Sequence, residues 1–142
     1  MIEFSYAINS QPVDRLLAGF EEALGDQRSA LERIADDARE MIARQFATEG
    51  RAGGTPWPEL AASTRRRRGT RAPILYSSGA LLRSLLGAEG HVEERDEHSL
   101  TLGSRLPYAL SHQTGTRRMP ARPMIVLSGA RVEKWTAMVR QQ

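Results

Sequence analysis

In the stretch YALSHQTGTRRMPARP, residues 108–123, one histidine stands beside a glutamine, followed by a glycine, three arginines and two prolines. Such a set could serve a small active site, a grip on phosphate, or a loop that holds another protein. Catalysis asks for more than residue types. A serine nucleophile needs a base within hydrogen-bond reach and a third group orienting that base, and the adjacency of Ser111 and His112 in sequence does not join their side chains. The remaining histidines, His91 and His98, lie in a charged stretch where titration at the surface is expected. No two histidines are three or four residues apart and no HExxH occurs, so metal-ligand spacing is missing. YSSGAL lacks the GxSxG frame of a nucleophile elbow, and GRAGGT lacks the Lys-Ser/Thr of a phosphate loop. Asp36–Asp37 and Glu93–Glu94 are read as solvent-facing pairs. The expectation is no enzyme, no cofactor and no metal.

The second option rests on charge. The chain carries 20 basic and 17 acidic residues, and 19 of the 20 basic ones are arginine. They fall in blocks: residues 1–50 come to −5, 51–86 to +6, 87–104 to −4 and 105–142 to +6. Arg65, Arg66, Arg67 and Arg68 are consecutive, with Arg71 close behind. A run of this kind binds phosphate without reading sequence, or meets the acidic block of a neighbouring protein. Few aromatics accompany it for base stacking, and no recognition-helix pattern is present. An acidic protein partner is favoured, with nonspecific nucleic-acid binding as the alternative.

The elements that must position these residues follow from periodicity. At 142 residues with 40% hydrophobic content, one domain spanning 1–142 is expected. No run reaches the roughly 18–20 apolar residues of a membrane span. The start MIEFSYAINSQPVDR does not read as a secretory signal, and the absence of cysteine removes disulfides and thiolate metal sites. Residues 2–8 alternate as a strand and residues 10–24 space Val13, Leu16, Leu17, Phe20 and Leu24 as a helix. From Gln27 to Ala47, the stripe Leu31, Ile34, Ala35, Ala38, Met41, Ile42 and Phe46 marks a long amphipathic helix, with Asp26 suited to capping it. Glycines and prolines then crowd residues 50–58 and read as a mobile loop, with Trp57 read first as its anchor on the core and otherwise as a contact to another subunit. A short helix from Pro58 runs into the arginines. A helix over 77–86 opens at Ser77 or Ser78 and turns Leu81, Leu82, Leu85 and Leu86 inward. Two strands flank a turn near Asp96–His98, PYALSHQTG gives one or two helical turns stopped by Gly115, MIVLS reads as a strand, and a last helix starts at Ser128. The fold class is α+β: a long amphipathic helix and shorter helices packed on a small, mainly antiparallel sheet, with long flexible loops.

Several motifs, in order, resemble one family: PWPELAASTRRRR with Trp57, Leu60 and Thr64; ILYSSGALLRSL; PYALSHQTG with Pro107, Tyr108, Ala109, His112, Gln113 and Gly115; and PARPM with Ala121, Arg122 and Pro123. The order is similar to the virion morphogenesis, or tail-completion, proteins of Mu-like tailed bacteriophages, over about residues 10–140. The resemblance implies a structural protein of the head–tail junction that completes the tail or neck. A place in the virion, with the host cytoplasm as the site of assembly, and no membrane partner are expected. Related components form rings, commonly of six copies, around the channel through which DNA passes. The implied partners are further copies of the chain, neck or connector proteins, tail-terminator or tail-tube proteins, and channel DNA at close range.

The opening stretch then reads as a loop scaffold. Tyr108 and Ala109 pack on the core, His112 and Gln113 pin irregular backbone, Gly115 turns with positive φ, and Pro123 stiffens the return. The candidate interface residues are Trp57, Arg65, Arg66, Arg67, Arg68, Arg71, Arg117, Arg118 and Arg122, with Arg122 free for a bidentate contact to a carboxylate. A Gly/Pro/Arg-rich arm around residues 49–73 is expected to swing out of a lone subunit and to order against a neighbour, facing the acidic long helix.

Overall fold

A computed structural model describes residues 25–141. The strand over 2–8 and the helix over 10–24 lie outside the described residues. The long helix appears as α1, Arg28–Ala47, and the Asp26 carboxylate accepts from the Arg28 N–H at 2.9 Å. Its buried set contains Leu31, Ile34, Ala35, Ala38, Ile42 and Phe46, as the 3.6-residue period requires, but also Asp37 and Gln45. Asp37 is therefore not solvent-facing.

Beyond α1, Gly50 adopts φ +92° and starts a single 3₁₀ turn, Arg51–Gly53. A side chain is excluded at Gly50, because a Cβ would lie 2.6 Å from the Thr55 carbonyl oxygen. Next come α2, Ala62–Arg68, and α3, Ala80–Leu85. α2 starts four residues later than Pro58 because the Pro58 and Glu59 carbonyls, which would open that helix, accept instead from the Arg122 guanidinium. Strands β1, His91–Arg95, and β2, Leu100–Ser104, pair antiparallel with His91 opposite Ser104 and Arg95 opposite Leu100. Their turn needs no Asn-Gly: the Asp96 carboxylate accepts from the His98 and Ser99 N–H groups at 2.7 Å each. Two further helices complete the body: α4, Ala109–Thr114, and α5, Gly129–Arg140, whose Ser128 hydroxyl caps the Arg131 N–H. The α+β class holds among the described residues.

The core gathers Ile42 and Phe46 of α1, Trp57, Leu81 and Leu85 of α3, Ala109 of α4 and Met124. Ile74, Leu75, Leu82, Leu86 and Leu106 pack around it. A second, polar contact joins α3 to the hairpin. Ser84 and Ser104, both fully buried, place their hydroxyls 2.7 Å apart, and His91 Nδ1 lies 2.9 Å from the Ser84 carbonyl. His91 is thus fixed between two elements rather than left at the surface, while His98 stays exposed.

Candidate interface: the hook and the arginine face

Residues 107–125 form a hook whose backbone is held by side chains. Gln113 at the end of α4 does most of this. Its amide oxygen accepts from the Met124 N–H at 2.9 Å and the Ile125 N–H at 3.1 Å, and its amide nitrogen donates to the Ile125 carbonyl at 2.8 Å. A primary amide presents the same donor and acceptor pair as a peptide group, so Gln113 substitutes for a neighbouring strand. MIVLS accordingly does not become a strand: part of its hydrogen bonding is taken by a side chain, and among the described residues no sheet strand lies beside it.

From the other side, the Pro123 carbonyl accepts from Gln45 Nε2 at 2.9 Å and Trp57 Nε1 at 2.8 Å. Gln45 also uses its oxygen to accept from the Gly53 N–H. Trp57 is 4% exposed and meets Phe46 edge to face, with ring centroids 5.3 Å apart. Trp57 thus anchors its loop on the core, as the first of its two readings has it, and its place among the interface candidates is corrected: its whole ring is spent inside the subunit. The arm's Gly/Pro half is tied down with it. Trp57 N–H donates to the Glu49 carbonyl at 2.8 Å, and the Glu49 carboxylate accepts from the Ile74 N–H at 3.0 Å. An arm that swings out of a lone subunit is therefore not found over residues 49–58.

Arg122 is the second correction. It is 6% exposed, with Nε donating to the Pro58 carbonyl at 2.9 Å and Nη2 to the Glu59 carbonyl at 2.8 Å, so it is not free for a partner's carboxylate. Burial lowers its pKa from the usual arginine value without threatening its charge. The nearby His112 contributes through its backbone, the carbonyl accepting from the Arg122 N–H at 2.7 Å. Its ring pins nothing through Nδ1, which is buried without a hydrogen-bond partner among the described residues. Burial first, and then the Arg122 charge, hold the His112 imidazole below its ordinary pKa, so it is neutral at pH 7. Gly115 turns at φ +75°, and a Cβ there would lie 2.7 Å from the Ala121 nitrogen. Tyr108 is 43% exposed and covers the His112 ring rather than the core; Ala109 alone makes that contact.

The arginines divide by use. Arg65 pairs with Glu59 at 2.7 Å, and Arg68 donates to the Tyr76 carbonyl at 2.6 Å. Arg66, Arg67 and Arg71, together with Arg117 and Arg118 on the Thr116–Met119 turn, are exposed and form no ion pair among the described residues. Arg122 ties the segment that opens α2 to the loop carrying Arg117 and Arg118, so both sets are anchored to one clamp. The acidic face of α1 is less open than its charge suggests. Asp36 pairs with Arg39 and Glu40 with Arg44, while Asp37 is engaged by α5. Sequence reasoning misplaced Asp37 because an acid inside an apolar stripe betrays itself only through its partners, about a hundred residues away.

The sequence profile of the phage virion morphogenesis family matches residues 8–142. The chain belongs to that family. No curated protein and no solved structure matches it. The match spans the hook, the arginine segment and α5, and a role in building phage particles follows from the family. Among the described residues no group of three or more histidine, aspartate or glutamate side chains could hold a metal ion, and no helix is long and apolar enough to cross a membrane.

Proposed function

We propose that this family member works in tail completion and head–tail joining at the neck of the particle, as a ring of identical subunits and without catalytic turnover. The observation that carries the reading is the set of exposed arginines, Arg66, Arg67, Arg71, Arg117 and Arg118, on chain segments adjoining the two that the Arg122 clamp joins. Exposed cations with no ion-pair partner among the described residues suit a bidentate grip on carboxylates of the next subunit. The exposed acids Glu89, Glu94 and Glu133 form no ion pair among the described residues and offer such carboxylates. The exposed pairs along α1 contribute little individually, so Asp36 and Glu40 can also be recruited.

Electrostatic association of this kind weakens with salt, because exposed charges are screened within about 10 Å at 0.1 M ionic strength. Sedimentation of the full chain in rising salt should show a ring that dissociates, and electron microscopy of purified particles should locate it at the junction. Association indifferent to salt would refute the arginine grip, and absence from particles at every stage of assembly would refute the neck assignment. The same arginines support nonspecific nucleic-acid binding as a second reading. A mobility shift that falls steeply with salt, by an amount set by the number of phosphates contacted, would favour that reading over subunit contact.

A further inference from the structure

The seam between α1 and α5 is built differently from the rest of the body. Nine residues of α1 are buried, whereas none of α5 is, and α5 contributes nothing to the cluster around Phe46 and Trp57. Its apolar stripe, Val132, Trp135, Met138 and Val139, is half-covered. Among the described residues its side-chain ties to α1 centre on one carboxylate. Asp37 accepts from Arg131 at 2.6 Å, from Trp135 Nε1 at 2.7 Å and from Lys134. On the same helix pair, Arg33 donates to the Met138 carbonyl at 3.1 Å. Two clefts of about 330 and 110 Å³ run along the seam, sharing Met41, Arg44, Ser128 and Arg131, so the helices do not meet at the density of a protein interior. The lead into α5 is also lightly tied. Gln113 holds Ile125, after which the backbones of Val126 and Leu127 make no hydrogen bond among the described residues.

We propose that α5 is an exchangeable clasp, able to leave Asp37 of its own subunit and dock through Arg131, Lys134 and Trp135 on Asp37 of a second copy. The occupant is a second copy because the matching site is already present there. Exchange replaces each broken contact by its equal, which makes swapping of an identical element a low-cost route to association. A foreign helix would have to reproduce two cations and an indole N–H at the same spacing. The clasp does not rest on the neck assignment, since two chains suffice for it.

Two full-chain variants test the exchange. Asp37→Ala keeps the donors and loses the acceptor; Arg131→Ala/Lys134→Ala/Trp135→Phe keeps the acceptor and loses the donors. Neither can make a clasp within its own population, but a mixture can. The expected result is a 1:1 complex of doubled mass, at concentrations where each variant alone sediments as a single chain. A mixture that sediments as the sum of its parts overturns the proposal, provided circular dichroism shows both variants folded. Hydrogen exchange on the unaltered protein covers the case where a variant unfolds. Amides of residues 129–140 should exchange at least about tenfold faster than those in the buried part of α1, and should slow as protein concentration rises. Equal protection of the two helices at all concentrations overturns the proposal as well.

Discussion

Gln113→Ala removes three hydrogen bonds at once, and its effect separates a scaffold glutamine from a decorative one. The Met124 and Ile125 N–H groups and the Ile125 carbonyl lose their partner. Met124 is 1% exposed, so its N–H is poorly placed to recover water, whereas Ile125 is half-covered and can regain part of its hydration. One buried unsatisfied group at about 1–3 kcal/mol and two partly rehydrated ones at a fraction of that give a loss of roughly 2–4 kcal/mol. Gln113→Glu sharpens the case. The carboxylate still accepts from both N–H groups but faces the Ile125 carbonyl with no proton to donate, so it should cost about 1–2 kcal/mol by the same reasoning. His112→Ala is the internal control. Its ring forms no Nδ1 hydrogen bond among the described residues and meets an exposed tyrosine edge to face, so its loss should stay near 1 kcal/mol, typical of a substitution without a large cavity or an orphaned group. Urea denaturation read by tryptophan fluorescence reports all three, with midpoints compared at unchanged slope. If Gln113→Ala falls no further than His112→Ala, the strand-substitute role of Gln113 is refuted.

Trp57→Phe keeps an aromatic edge against Phe46 and deletes the bond to Pro123. A loss of about 1 kcal/mol is expected, against roughly 3–5 kcal/mol for Trp57→Ala, both by thermal denaturation. Asp37 gives a pH signature. Burial alone would raise its pKa, but hydrogen bonds from Lys134, Trp135 and Arg131 outweigh that and bring it from 3.8 to about 2. The folded value lies below the unfolded one, so the contribution is complete above pH 3.8 and is lost as pH falls toward 2. At about 1.4 kcal/mol per pKa unit it amounts to roughly 2 kcal/mol. An acid titration of stability should lose this step in Asp37→Asn. Replacing Arg66, Arg67, Arg117 and Arg118 with serine should leave stability within about 0.5 kcal/mol per site while abolishing salt-sensitive association in sedimentation.

Periodic features were the most legible in the sequence. α1 follows from seven apolar positions on one stripe, and α5 from the Ser128 cap with its spaced apolar residues. The hairpin was readable too, although its turn is closed by an aspartate side chain that no dipeptide signal announces. What escaped was chemistry between distant segments. Arg122 and Asp37 each carry a polar group that sequence treats as surface-seeking, and each finds its partners roughly 60 to 100 residues away; the core anchoring of Trp57 was readable, but not its bond to Pro123. MIVLS misled for the opposite reason. Its composition suits a strand, but a strand needs a neighbour, and among the described residues a glutamine stands in for one.

The double acceptance at Pro123 bears on how the chain matures. Phe46 and Trp57 cannot be sealed until residues 122–125 arrive, so the described segment that precedes them is left open around Trp57. Any chain interrupted before that point would leave its tryptophan wet and its α2 segment unanchored. Complete folding around Trp57 is thus restricted to chains in which residues 122–125 are already in place, an inspection step performed by folding itself.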